Sequence, residues 1–281
     1  MQSVDRSTAV VPGHITGFFS AHPAVDSAAA GSRGAGLALS DTARVTVSAG
    51  SGVRLNGKAI EVDPVDRVLE TLGVTVAVAA ETPLPLGAGF GVSGALALGT
   101  ALAANAAADC GHTENELIEI AHCAEVEAGT GLGDVVAQAR GGVPIRLEPG
   151  GPTHGVMDGI PAAPRIEYVT FGELSTETVL SGDTSQLSTA GETALDRLLA
   201  QPTVEQFMTA SQAFAVEAGL LTDDVREAIA AVDEAGGQAA MAMLGRTVFA
   251  VDGGLSAAGY EPACCRVDAA GGRIVATDQH E

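Results

Sequence analysis

Lysine is nearly missing from this chain: among 281 residues and 14 basic side chains, Lys58 is the only one. Its context, Asn56-Gly57-Lys58-Ala59, excludes a Walker-type GxxxxGK[ST] loop and argues against a Schiff-base lysine. Tryptophan is absent, and two Tyr and seven Phe leave a core of small aliphatic side chains. Four cysteines, Cys110, Cys123, Cys264 and Cys265, show no CxxC spacing, so free thiols are expected and a cysteine metal centre is not. No basic stretch followed by an apolar one opens the sequence, so no signal peptide is expected. The most apolar run, Ala95 to Ala108, is interrupted by Asn105 and falls short of the ~20 residues a membrane helix needs. A cytoplasmic protein is therefore expected.

Acid is what the chain has in excess. With 35 Asp and Glu the formal net charge is −21, which would repel phosphate backbones and anionic lipid surfaces. Neither nucleic acid nor a membrane is expected as a partner. Such a surface suits concentrated salt, where the Debye length shrinks to about 3 Å at 1 M, and the composition is that expected of a halophilic protein. Hydrophobic residues at 46% predict a folded globular chain.

Local signals predict an α+β fold. Thr8–Val11, Gly36–Leu39 and Val45–Ser48 read as short strands, and Val53 to Ile60 folds back around Asn56-Gly57. Asp63–Leu72 reads as a helix closed by Gly73, followed by a strand from Val74 to Ala80. Ser93–Ala108 reads as a small-residue helix, and Thr113-Glu114-Asn115-Glu116 is a capping box opening a helix to Ala128. Val143–Leu147 returns as a strand. The Gly- and Pro-rich stretch Pro149–Pro164 is the expected boundary between domains at 1–155 and 156–281. Beyond it come a strand at Arg165–Phe171, helices near Glu192–Leu199, Val204–Gly219 and Asp223–Ala235, and a strand-rich tail.

Three segments carry chemistry. Pro83 to Ala95 (PLPLGAGFGVSGA) places alternating glycines between a strand and a helix. Their N–H groups can converge on an anion, and the helix dipole adds to that attraction, so phosphate could be held without lysine. Ser93 can either cap that helix or ligate a phosphate-bound Mg²⁺. The second segment, Glu125 to Val136 (EVEAGTGLGDVV), sets Asp134 at the start of a helix. There it is an ordinary N-cap or, facing a phosphate, a carboxylate that orients a hydroxyl for attack. Glu125 and Glu127 lie two apart on a helix, so only one can face such a pocket. Third, His14 and Arg33 sit on Gly-rich segments, and Arg33 between Ser32 and Gly34 is open to a planar carboxylate.

Taken together, Pro85-xxx-Gly89-Phe90-Gly91-Val92-Ser93-Gly94-Ala95 resembles the ATP loop of the GHMP small-molecule kinases, and Gly129 to Asp134 resembles their catalytic-aspartate segment. Within that family, PGHITGFF from Pro12, GSRGAG from Gly31, GAGFG from Gly87, the Glu125–Val135 run and MAMLG from Met241 resemble the archaeal pantoate kinases. The resemblance implies a ribosomal-S5-domain-2-like N-terminal domain and a ferredoxin-like C-terminal domain, with ATP and substrate between them. It implies transfer of phosphate from ATP to pantoate with Mg²⁺, and it allows a homodimer; the alternatives are a GHMP kinase acting on another small hydroxy acid or alcohol, or a non-catalytic nucleotide-binding member. Carried over residue by residue, Pro85, Gly87, Ala88, Gly89, Phe90, Gly91, Val92, Ser93 and Gly94 would bind ATP. Asp134 would be catalytic, Ser93 and Glu125 would meet the metal, and His14, Thr16, Ser32 and Arg33 would bind substrate. Val92 and Gly94 depart from the Ser and Ala of the broad family, and His14 stands where many members have Arg or Lys.

Overall fold

The computed structural model describes residues 4–172 and 184–278. Two long strands, β1 (Arg6–His22) and β2 (Gly31–Ser48), form its backbone and pair antiparallel from Ser7↔Val47 to His22↔Gly31. The three short strands expected here are thus two long ones. Pro12 does not end β1, because the register shifts between Pro12 and Gly13, and a bulge is where a strand tolerates proline.

The hairpin β3 (Gly52–Leu55) and β4 (Lys58–Ile60) turns at Asn56 and Gly57, both at positive φ. β5 follows at Ala77–Glu81, starting later than the expected Val74, and runs parallel to β3. β6 (Val143–Glu148) joins β2, and β7 (Val156–Ile160) joins β6. The C-terminal strand β12 (Arg273–Asp278) returns to lie beside β1. The first sheet therefore has eight strands and draws them from both sides of residue 155.

Helices α1 (Asp63–Leu72), α2 (Val92–Ala108), α3 (Glu114–Ala128) and α4 (Asp134–Arg140) pack together with that sheet. Pro64 opens α1 and left-handed Gly73 closes it, while Thr113 and Glu116 make both bonds of the capping box on α3. α2 is buried nearly all round. Its Gly99 lets it close on β2, since a Cβ there would lie 2.5 Å from a Val45 methyl.

The second half is a four-stranded antiparallel sheet in the order β11 (Ala263–Arg266), β8 (Arg165–Gly172), β10 (Arg246–Val251), β9 (Ala239–Ala242). α6 (Val204–Glu217) and α7 (Asp223–Glu234) pack on it, and α8 (Gly254–Ala257) is a single turn. α5 (Ser185–Ala200) starts earlier than expected and lies against β1. A Cβ on its Gly191 would come 2.0 Å from the Phe19 carbonyl oxygen. Phe18, Phe207 and Phe249 pack as tilted rings with centroids 6.1 and 6.2 Å apart, joining β1, α6 and β10 in one core. This packing of helices on mainly antiparallel sheets is the α+β class. Among the described residues no helix is long and apolar enough to cross a membrane.

Candidate active site

A cleft of about 460 Å³ lies where the glycine loop, the start of α1, the turn before α4 and the β9–β10 connection meet. The loop's conformation follows from its glycines: Gly87, Gly89 and Gly91 have φ of 76°, 87° and 59°, the left-handed region that side chains avoid. Gly91 is the N-cap of α2, so the loop delivers its backbone N–H groups to the positive end of a long helix. Gly87, Gly89, Phe90, Gly91, Val92 and Ser93 line the cleft.

Pro85, Ala88 and Gly94 do not line it. Ala88 is buried behind the loop, where its carbonyl accepts a 2.8 Å hydrogen bond from Thr247 Oγ1. Phe90 meets Tyr168 edge-on at 4.8 Å, and a Cβ on Gly245 would collide with the Ala88 carbonyl at 2.1 Å. The loop therefore rests on the second half of the molecule.

Ser93 does not cap α2. Its hydroxyl donates to Glu125 Oε1 at 2.5 Å. Glu125 is 2% exposed, and burial raises its pKa to about 7, with the nearby Asp134 charge pushing the same way and the Ser93 hydroxyl opposing. Glu127, two residues on, faces away and bonds Ser27 and Arg67 on the surface. Between the two acids of the site stands Gly131. A Cβ there would lie 2.5 Å from Glu125 Oε2 and 3.5 Å from Asp134 Oδ2.

Asp134 opens α4 and reaches the cleft with 24% of its side chain exposed. His14 is fully buried beneath it, and its Nδ1 lies 2.7 Å from Asp134 Oδ1. A carboxylate only accepts, so Nδ1 carries the proton, and Nε2 is left without a partner. Burial lowers the His14 pKa, which keeps the imidazole neutral at neutral pH. Burial works against the Asp134 charge, but the His14 hydrogen bond, the Arg146 charge and the Thr16 hydroxyl hold its pKa below the usual range. His14 thus supports Asp134 from behind and does not line the cleft, whereas Thr16 does.

Ser32 also lines the cleft, and Arg33 does not. The Arg33 Nε donates to the Leu147 carbonyl at 2.7 Å, and its Nη1 pairs with Glu192 at 2.5 Å, locking β2 to α5. The guanidinium that faces the cleft is Arg146 on β6, overlooked by the sequence reading. It is 2% exposed, its Nε and Nη1 have no partner, and burial brings its pKa down to about 10, so it stays charged. A Cβ on Gly133 would fall 2.5 Å from Ser32 Oγ and 2.6 Å from Arg146 Nε, so the missing side chain leaves a cradle beside Asp134. The visible signal was an arginine inside an otherwise buried strand, Val143-Pro144-Ile145-Arg146.

A glycine loop at a helix N-terminus, a paired acid and hydroxyl, a carboxylate on a neutral imidazole and a buried guanidinium thus share one cleft. Residues 59–142 match the model of the GHMP kinase N-terminal domain. The chain is 36% identical over 258 residues to pantoate kinase of Thermococcus kodakarensis, covering 85% of each chain. The chain belongs to the GHMP kinase family. Pantoate kinase of Methanocaldococcus jannaschii is 34% identical over 245 residues, covering 84% of this chain and 89% of its own. A solved phosphotransferase related to the coenzyme A biosynthesis pathway superposes with a TM-score of 0.84 at 30% identity, covering 96% of this chain and 98% of its own. The GHMP kinase fold accounts for both halves of the molecule and for the cleft between them.

Proposed function

We propose that this protein transfers the γ-phosphoryl group of ATP to the primary hydroxyl of pantoate, giving 4-phosphopantoate and ADP on the way to coenzyme A. The observation that carries this reading is that Asp134 and Arg146, whose Nε and Nη1 have no hydrogen-bond partner, face the same cleft as the glycine loop. The two pantoate kinases at 34–36% identity support the choice of substrate.

The roles follow from the chemistry of each group. Backbone N–H groups from Gly87 to Ser93 hold the triphosphate, which needs no lysine. Arg146, with Ser32 and Thr16 on the adjoining wall, takes the pantoate carboxylate, since a guanidinium fork matches a planar anion. Phe19, Leu132, Met243 and Leu244 give the cleft apolar wall for the substrate's methyl groups. Asp134 accepts a hydrogen bond from the reacting hydroxyl and aims its oxygen at the γ-phosphorus. As the new O–P bond forms and the bond to the β-phosphate oxygen breaks, the hydroxyl proton passes to Asp134.

Ser93 and Glu125 fit a magnesium ion. A hydroxyl and a buried carboxylate in need of counter-charge are hard oxygen donors, and Mg²⁺ takes one or two protein ligands with phosphates and water. Among the described residues no cluster of three or more His, Cys, Asp or Glu could hold a metal by itself, so the nucleotide would complete the set. When bound, the ion neutralises charge developing on the phosphates. A kinase that draws on ATP and a soluble hydroxy acid is expected in the cytoplasm. ADP release measured with pantoate, mevalonate and homoserine as acceptors tests the reading. Turnover with pantoate well above the others is expected, and preference for another acceptor would overturn it.

A further inference from the structure

Gln138 has no part in the roles assigned above and does not line the cleft, yet it is fully buried directly behind the glycine loop. It lies one turn after Asp134 on α4, so the two side chains share a face of the helix. That face is pressed against the glycine loop. A Cβ on Gly91 would lie 3.0 Å from Gln138 Nε2 and 3.2 Å from the Asp134 Cβ and Cγ. A Cβ on Gly94 would lie 3.0 Å from Gln138 Oε1 and 3.4 Å from Asp134 Cβ. The Gln138 amide donates to the Gly91 carbonyl at 2.8 Å, which fixes its orientation, and its Oε1 is left with no partner.

We propose that Gln138 is a positioning residue that sets the separation between the phosphate loop and the catalytic carboxylate. Gly91 is the left-handed pivot where the loop becomes helix, so its carbonyl fixes the peptide planes that aim the neighbouring N–H groups. Gln138 grips that carbonyl from the same helical face that carries Asp134. No side chain of the loop stands between them, because 91 and 94 are both glycine. Gly94, which departs from the family's alanine, fits this contact: a methyl there would press on Gln138 Oε1 at 3.0 Å and on Val135 Cγ2 at 3.3 Å. The pair Gly94–Gln138 is then one fitted unit.

This inference rests on the reading that the loop holds ATP phosphates and that Asp134 addresses the hydroxyl. Gln138→Met keeps the length of the side chain and removes the donor. ATP binding, titrated without any acceptor, is expected to weaken about 3- to 10-fold, the worth of one buried hydrogen bond. With pantoate, kcat should fall about 10-fold while KM for pantoate stays near wild type, because the Arg146 cradle is untouched. Gly94→Ala should reproduce both effects, and in the Gln138→Ala background it should cost less, since the tightest contact is then gone and only Val135 Cγ2 at 3.3 Å and Asp134 Cβ at 3.4 Å remain. Additive effects of the two substitutions would overturn the proposal. So would a Gln138→Met enzyme with a lowered melting midpoint but unchanged ATP affinity and kcat. Absence of pantoate turnover in the wild type would instead remove the choice of substrate, leaving the ATP titration to decide on Gln138.

Discussion

His14 Nδ1 lies 2.7 Å from Asp134 Oδ1, and no solvent reaches the imidazole from any side. A Cβ on Gly36 of the neighbouring strand would fall 2.3 Å from His14 Nε2, so the ring lies against bare backbone. The partner of the Asp134 carboxylate is therefore a neutral donor and not a fixed cation. Asp134→Ala should lower kcat by ~10²–10⁴. His14→Ala removes a hydrogen bond to a charged group and should cost about 10- to 150-fold, whereas His14→Asn, which offers an N–H at a similar place, should retain most of the activity. The bond lowers the Asp134 pKa, so its loss raises that pKa. The acid limb of the kcat/KM profile should move to higher pH in His14→Ala. An unmoved limb would mean that His14 does not act through Asp134.

Arg146 and Arg33 separate in a pair of titrations. Arg146→Ala should raise KM for pantoate about 10- to 150-fold, the range for a charged hydrogen bond, with ATP affinity nearly unchanged. Arg146→Lys should recover only part, since a point charge lacks the fork. Arg33→Ala breaks the tie to Glu192 and Leu147 and should lower the melting midpoint with little effect on KM. A large KM effect at Arg33 would return the carboxylate clamp to that residue.

This exchange of arginines shows where the sequence was readable and where it was not. Arg33 between Ser32 and Gly34 reads as open to a carboxylate on a Gly-rich segment, and the glycines say nothing about facing. Ser32 and Arg33 lie in β2, where successive side chains alternate, so Ser32 in the cleft sends Arg33 to the other side. Pro12 and the glycines around it hid the strands because bulges, which depend on the partner strand, make room for them. The elements set by local chemistry, such as the Thr113–Glu116 box and the Pro64 and Gly73 ends of α1, were legible within a residue or two. Gln138 was not, because its role arises only when α4 docks on two glycines nearly 50 residues away.

The metal assignment turns on helix α3. Glu125 and Glu127 point to opposite environments, one into the cleft and one to Arg67. Ser93→Ala and Glu125→Gln should each raise the Mg²⁺ concentration needed for half-maximal activity. Glu127→Gln should leave it unchanged. The reverse order for the two glutamates would put the metal contact on the wrong acid.

Glu167 offers a stability test away from the cleft. Its buried carboxylate accepts from Ser256 N at 2.9 Å and Ser256 Oγ at 2.7 Å, and pairs with Arg165 at 3.2 Å. Burial raises its pKa, but these bonds more than offset that and leave it below the ordinary 4.5. A carboxylate depressed by folding stabilises the fold above its unfolded pKa, and that stability is lost as pH falls through the folded value. Glu167→Gln should therefore be less stable than wild type at pH 7, by about 1–2 kcal/mol. The gap in melting midpoint should close below pH 4.5. A gap that does not change with pH would assign the effect to packing.

Salt should matter more to this molecule than any single residue outside the cleft. The net charge of −21 leaves most carboxylates without a cation, and two of them, Asp63 and Glu127, already share Arg67. Exposed pairs of this kind contribute at most about 1 kcal/mol each, so they cannot offset repulsion summed over the surface. Screening can, because the Debye length is ~3 Å at 1 M and grows to ~30 Å at 0.01 M, where acids across the whole face of a helix feel one another. Melts from molar to millimolar KCl should show a steep fall in midpoint, with each kcal/mol lost moving it roughly 2–4 °C for a chain of this size class. Sodium sulfate also strengthens apolar burial, so chloride is the cleaner salt for isolating charge. A midpoint that stays flat across that range would mean that the acidic surface is not an adaptation to salt.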